Sequence, residues 1–162
     1  PEPGIVFKDI TPLLQDPVAF RQAIFELSDR FARERIDVVV GIEARGFLFA
    51  APLAARLNSP LIPLRKPGKL PYRTNSVRFT LEYGDSALEV HTDAIAPGQR
   101  VLIVDDLLAT GGTAVAATEL LRKAGARVDR AAFVIDLPDL GGNARLASQS
   151  RDVRALMAFD GD

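Results

Sequence analysis

The stretch "VLIVDDLLATGGT", residues 101–113, decides the fold. Val101 to Val104 form an unbroken, largely β-branched run, the pattern of a strand buried on both faces. Together with its flanks it reads as a strand over residues 99–106. The "GTAVAATELLRKAG" that follows reads as a helix closed by Gly125. A buried strand running through a short loop into a helix is the unit of a parallel sheet covered on both sides. In such sheets ligands bind beyond the carboxyl ends of the strands. Here that end carries two adjacent acids, Asp105 and Asp106. Beyond them, Gly111 and Gly112 let the backbone turn so that N–H groups converge. The helix start adds free donors and the positive end of its dipole. Thr110 and Thr113 add hydroxyls. Ala109 to Thr113 therefore suits a phosphate monoester, whereas two carboxylates suit the hydroxyls of a vicinal diol. A ribose 5-phosphate offers both groups. Neither GxxxxGK[ST] nor GxGxxG is present, so neither a triphosphate loop nor a dinucleotide fingerprint is indicated.

The rest of the chain fits around this unit. Residues 17–35 place Phe20, Ile24, Leu27 and Phe31 at helical spacing behind Asp16, a cap residue. "DVVVGI" (37–42) reads as a buried strand, "RGFLFAAPLAARL" (45–57) as a helix blemished by Pro52, and "PLIPL" (60–64) as a short strand. Residues 66–71 read as a loop. Residues 76–84 and 86–95 alternate apolar and polar around Gly84-Asp85, which predicts an antiparallel hairpin. "RVDRAAFVID" and "DVRALMAF" are two further strands. The expectation is an α/β chain: a mostly parallel twisted sheet flanked by helices, with a small antiparallel hairpin as a flap over about residues 66–95. Residues 1–162 fit a single domain.

Apolar residues make up 48% of the chain, enough for a core and against disorder. A formal charge of −1 argues against a general binder of nucleic acid or anionic membrane. With no cysteine, disulfides and Cys-based zinc sites are out of reach; the single histidine argues against a His-rich metal site or a Ser-His-Asp triad, and a cytoplasmic location is expected. His91 reads as a plain strand residue. Charge is unevenly spread. From Ala44 to Leu81 there is no acid, but there are seven bases, Arg45, Arg56, Arg65, Lys66, Lys69, Arg73 and Arg78. This excess predicts a positive wall for a small polyanion.

At this point the residues carry a resemblance. "VLIVDDLLATGGT" resembles the phosphoribosyl-pyrophosphate motif of type I phosphoribosyltransferases. "PGIVFKDITPLL", "GIEARGFLFAAPLA", "RKPGKLP", "LEYG" and "PGQRVLIVDDLLATGGT" are similar, in order, to stretches of the adenine branch of that family. The resemblance implies transfer of a phosphoribosyl group from phosphoribosyl pyrophosphate to adenine, giving AMP and pyrophosphate, with Mg2+ carried on the substrate rather than bound directly. It implies that Asp105 and Asp106 meet the ribose and that Ala109, Thr110, Gly111, Gly112 and Thr113 cradle the 5-phosphate. Arg45, Arg65, Lys66 and Lys69 are implied to face pyrophosphate. Val6, Phe7, Lys8 and Leu107 are implied to form the adenine pocket. Glu82, Tyr83 and Arg45 are implied to be catalytic, with Glu82 taking or sharing the purine proton. It further implies a homodimer in which Arg65 can serve the neighbouring site, a cis peptide after Glu43, and a short helical segment ahead of Pro1.

Two rivals share these residues. Enzymes for other bases keep the fold and differ in backbone hydrogen bonds to the base. A ligand-sensing regulator of the same fold keeps the loop, loses the flap carboxylate and gains a nucleic-acid-binding segment, for which no helix-turn-helix or basic arm is visible.

Overall fold

The computed structural model describes residues 10–81, 84–148 and 152–158. Five strands form one parallel sheet: β1 (Val38–Ile42), β2 (Leu61–Leu64), β5 (Arg100–Leu108), β6 (Arg127–Asp136) and β7 (Asp152–Ala158). Their order across the sheet is β2-β1-β5-β6-β7. Strands β3 (Thr74–Leu81) and β4 (Gly84–His91) pair antiparallel as a separate hairpin.

The apolar runs of β1 and β5 follow from the sheet's two covered faces. Val38, Val40, Ile42, Val101 and Ile103 face one core, where helix α4 (Gly112–Lys123) adds Leu120 and Leu121. Val39, Leu102 and Val104 face the other. There helix α2 (Pro17–Phe31) adds Leu27 and Phe31, and helix α3 (Gly46–Leu57) adds Phe49 and Leu53. Side chains buried to this degree each contribute about 1.5–3 kcal/mol. Period-two alternation persists, but with apolar residues on both sides it reads in sequence as a continuous run.

Local signals set the helix ends. Asp16 accepts hydrogen bonds from Val18 N–H and Ala19 N–H at 3.0 and 3.2 Å, with Pro17 in the first turn of α2. Gly125 closes the region after α4 at φ 94°, and α3 runs through Pro52 without interruption.

Several boundaries differ from the expectation. Helix α2 stops at Phe31, before residue 35. Two short helices lie outside the sequence reading, α1 (Thr11–Gln15) and α5 (Gly142–Ala147), the latter preceded by a 3-10 turn at Pro138–Leu140. Strand β5 continues two residues past the aspartates, because Leu107 and Leu108 go on pairing with Ile135 and Asp136 of β6. Strand β4 ends at His91 rather than at residue 95. The hairpin is a separate sheet yet not a detached one: Val77, Leu88 and Val90 pack into the core shared with α4. No helix among the described residues is long and apolar enough to cross a membrane.

Candidate active site

A cavity of about 480 Å³ opens at the carboxyl end of β5. The end of β1, the phosphate-type loop, the first turn of α4 and the hairpin enclose it. Ten of the residues singled out from the sequence line it together: Arg45, Lys66, Asp105, Asp106, Leu107, Ala109, Thr110, Gly111, Gly112 and Thr113.

The loop takes the shape its glycines allow. Gly111 sits at φ 88° as the residue before α4, and Val115 N–H donates to its carbonyl at 2.9 Å. No side chain caps this helix start. The first-turn N–H groups therefore point outward as donors for an anion, beside the hydroxyls of Thr110 and Thr113. The loop is backed by α5, whose Gly142 N–H donates to Ala109 O at 3.0 Å.

The two aspartates are unequal. Asp106 is buried and its Oδ2 lies 2.9 Å from Arg45 Nε. Asp105 Oδ1 accepts the backbone N–H of Asp106 at 2.8 Å. Burial pushes the Asp105 carboxyl well above the usual range, helped by the neighbouring Asp106 charge, against the smaller pull of Arg45. The start of α3 presses close here, and only a glycine fits: a Cβ on Gly46 would lie 2.9 Å from Asp105 Oδ1 and 3.0 Å from Val104 O.

Opposite the loop, the peptide between Glu43 and Ala44 is cis. Glu43 forms an ion pair with Arg65 at 2.7 Å and accepts from Lys66 N–H at 3.4 Å. Burial works to raise the Glu43 carboxyl, but the Arg65 guanidinium, the Lys66 N–H and the nearby charge of Lys69 hold it below its ordinary value.

The positive wall is narrower than the charge pattern predicts. Of its seven bases only Arg45 and Lys66 line the cavity. Arg65 and Lys69 lie outside that lining, with Arg65 turned to Glu43. Arg56 points away to α2, over the Phe25 ring at 4.1 Å from its centroid. Val6, Phe7, Lys8, Glu82 and Tyr83 lie outside the described residues. His91 ends β4, with Nε2 at 2.7 Å from Pro71 O.

Sequence reasoning passed over Ile42, Glu43, Phe79, Asp85, Ser86 and Phe133, which also line the cavity. Glu43 and Asp85 carried a usable signal, since each is an acid at the end of a predicted strand or turn. Phe79 and Phe133 carried none, because a strand aromatic is ordinary core until its neighbours are known.

The chain matches the family of the phosphoribosyl transferase domain over residues 13–152. An adenine phosphoribosyltransferase of Chelativorans sp. is 54% identical over 161 residues, spanning 99% of this chain and 89% of the relative. One from Methylorubrum extorquens is 55% identical over the same shares. Among solved structures, adenine phosphoribosyltransferase from Thermoanaerobacter pseudethanolicus superposes with a TM-score of 0.92 at 48% identity, covering 98% of this chain and 91% of that one. The Giardia lamblia enzyme complexed with 9-deazaadenine superposes with a TM-score of 0.92 at 32% identity, covering 96% and 88%. A parallel sheet with a hairpin beside it, a carboxylate pair on its central strand and an anion-ready helix start thus coincide with close likeness along nearly the whole chain, which belongs to the phosphoribosyltransferases and, within them, to the adenine phosphoribosyltransferases.

Proposed function

We propose that this cavity is where adenine receives the 5-phosphoribosyl group of phosphoribosyl pyrophosphate, releasing AMP and pyrophosphate. One observation carries the assignment. The Asp105–Asp106 pair, the free first turn of α4 and the Arg45–Lys66 pair border one space, and each complements a different part of that substrate. The 5-phosphate takes the N–H and hydroxyl donors of Ala109 to Thr113. The ribose hydroxyls donate to Asp106 and Asp105. The diphosphate lies toward Arg45 and Lys66, with Lys69 and Arg65 as further bases of that group.

The bond from the sugar's anomeric carbon to the diphosphate oxygen breaks as the adenine nitrogen attacks from the opposite face. The sugar becomes cationic, and negative charge collects on the leaving group. Arg45 and Lys66 stabilise that charge where it develops. Asp105 and Asp106 orient the sugar. Leu107 borders the base, with Val6, Phe7 and Lys8 assigned to the rest of its pocket. Glu82 takes or shares the purine proton, and Tyr83 helps to close the flap, which keeps water from the cation.

Asp105, Asp106, Glu43 and Asp85 are hard oxygen donors, the kind that Mg2+ accepts. Among the described residues they form no cluster of three or more that could hold a metal ion by themselves, so Asp105 and Asp106 would be the ones to help hold an ion that arrives on the diphosphate. Bound there, it would supply positive charge to the leaving group. A homodimer is part of this reading, with Arg65 offered to the neighbouring site; its place outside the cavity lining of its own chain supports that. So is a cytoplasmic location, in keeping with a chain free of cysteine.

The test is direct. The purified chain is given phosphoribosyl pyrophosphate, Mg2+ and, separately, adenine, hypoxanthine, guanine or xanthine, and nucleotides are resolved by chromatography. AMP from adenine alone is expected. Product from another base at comparable rate would overturn the assignment of the base, and binding without product from any base would favour the regulator.

A further inference from the structure

We propose that Glu89 is a positioning residue whose carboxylate holds the 65–74 segment in the shape that offers its lysines to the diphosphate. The proposal rests on the assignment of that segment to the diphosphate made above.

Strand β4 alternates strictly here. Leu88 and Val90 are buried in the core, so Glu89 and His91 face the other way. The 65–74 segment lies along β4, and five of its residues are tied to β4 or to Thr92 just beyond it. Arg65 exchanges both backbone hydrogen bonds with Glu89, at 3.0 and 2.7 Å. Glu89 Oε1 accepts the N–H of Gly68 at 3.2 Å, and Oε2 accepts the hydroxyl of Thr74. His91 Nε2 meets Pro71 O at 2.7 Å, and Thr92 N–H donates to Arg73 O at 3.1 Å. A single carboxylate thus joins the turn at Gly68 to the segment's end at Thr74. Gly68 turns at φ 81° with nothing within 4 Å of a Cβ; the turn is closed by Lys69 N–H donating to Lys66 O at 3.3 Å, and the Glu89 carboxylate ties it to β4.

Charge neutralisation does not account for the residue. Among the described residues no ion pair ties Glu89 to Lys66, Lys69 or Arg73. Both oxygens go instead to neutral donors, an amide and a hydroxyl. A carboxylate meets that demand because it accepts at both ends and donates at neither. Glutamine can still meet both partners, its Oε1 accepting from Gly68 N–H and its NH2 donating to the Thr74 hydroxyl oxygen, whereas alanine removes both acceptors.

The experiment compares Glu89→Ala, Thr74→Val and the double variant with the wild-type chain, and Glu89→Gln serves as the conservative variant that keeps both contacts. It reads amide hydrogen exchange over residues 66–74, KM for phosphoribosyl pyrophosphate and for adenine, kcat and Tm. Expected in Glu89→Ala are faster exchange at Gly68 and its neighbours and a KM for phosphoribosyl pyrophosphate raised roughly tenfold, with Glu89→Gln close to wild type. KM for adenine and Tm stay close to wild type. Thr74→Val moves the same readouts in the same direction, and the double variant is no worse than the stronger single one. Thr74→Ser, which keeps the hydroxyl, restores wild-type values. Unchanged exchange in both single variants overturns the proposal at Glu89 itself. Faster exchange with an unchanged KM for phosphoribosyl pyrophosphate overturns it through the parent assignment, since the segment would then not hold the diphosphate. Equal rises in both KM values, or a fall in Tm that Thr74→Val shares, would reduce Glu89 to a general structural role.

Discussion

Asp105 is held where its charge is costly. Burial and the adjacent Asp106 raise its carboxyl well above the usual value. A carboxyl with a folded pKa above its unfolded value of about 3.9 binds protons more tightly in the folded chain. Stability is therefore lost as pH rises from the unfolded value through the raised one, and the full cost is present above that window. Asp105→Asn removes this cost and keeps the Oδ1 acceptor for Asp106 N–H. The variant is expected to melt higher than wild type at pH 7, by about 2–4 °C for each 1 kcal/mol recovered in a chain of this size. The gap should close in melts near pH 4. A gap of the same size at both values would mean that ionisation of Asp105 is not its source. Binding should move the other way, with affinity for phosphoribosyl pyrophosphate falling about tenfold or more as a charged acceptor is lost. The aspartates were legible because both partners of the argument, strand end and glycine loop, lie within thirteen residues. The ion pair of Glu43 with Arg65 was not. It depends on β1 lying beside β2, where Glu43 N–H donates to Leu64 O, and only the sheet order brings those ends together.

The elements divide in the same way. Strands β1, β5 and β6 declare themselves because both faces are covered, which turns a period-two pattern into an apolar run. Helix α5 does not, because its six residues begin within a Gly-Gly pair and follow a proline turn. A helix this short is stable only through its contacts. Its role is to back the phosphate loop, and the approach is closer than any side chain permits. A Cβ on Gly142 would lie 2.9 Å from Gly111 N and collide with the carbonyl of Ala109. Both are backbone atoms of the loop, so Gly142→Ala must move the loop or α5. The expected result is a loss of about 1–3 kcal/mol in stability together with at least a tenfold loss of affinity for phosphoribosyl pyrophosphate, measured by calorimetry. Gly98→Ala is the control. Gly98 sits at φ 84° with open space around a Cβ, so alanine there strains the backbone without touching the site. It should lower Tm and leave affinity unchanged. Full affinity in Gly142→Ala would detach α5 from the phosphate-binding geometry.

At the scale of the whole molecule, the acid-free stretch from Ala44 to Leu81 is distributed rather than concentrated. Arg45 and Lys66 reach the cavity, Arg65 pairs with Glu43 at its edge, and Arg56 lies on the far side against α2. Sequence gives the sign of a segment, but the fold decides which side chains share a surface, so the charge count overstated the wall. That distribution leaves a specific question for Arg65, which stands on the segment clamped to β4 and outside the lining of its own cavity. In a two-fold dimer each subunit offers the same segment to its partner. An Arg65→Ala chain keeps its own Asp106 and needs only a neighbour's arginine, whereas an Asp106→Asn chain supplies that arginine and lacks its own ribose acceptor. When the two inactive chains are mixed and allowed to exchange subunits, half of the dimers are mixed and each has one intact site. Activity on the order of a quarter of wild type is therefore expected from the mixture. Sedimentation should report a dimer for both variants alone. Dimers that exchange subunits without any recovery of AMP formation would place the whole site within one chain, and Arg65 would then act through its ion pair with Glu43.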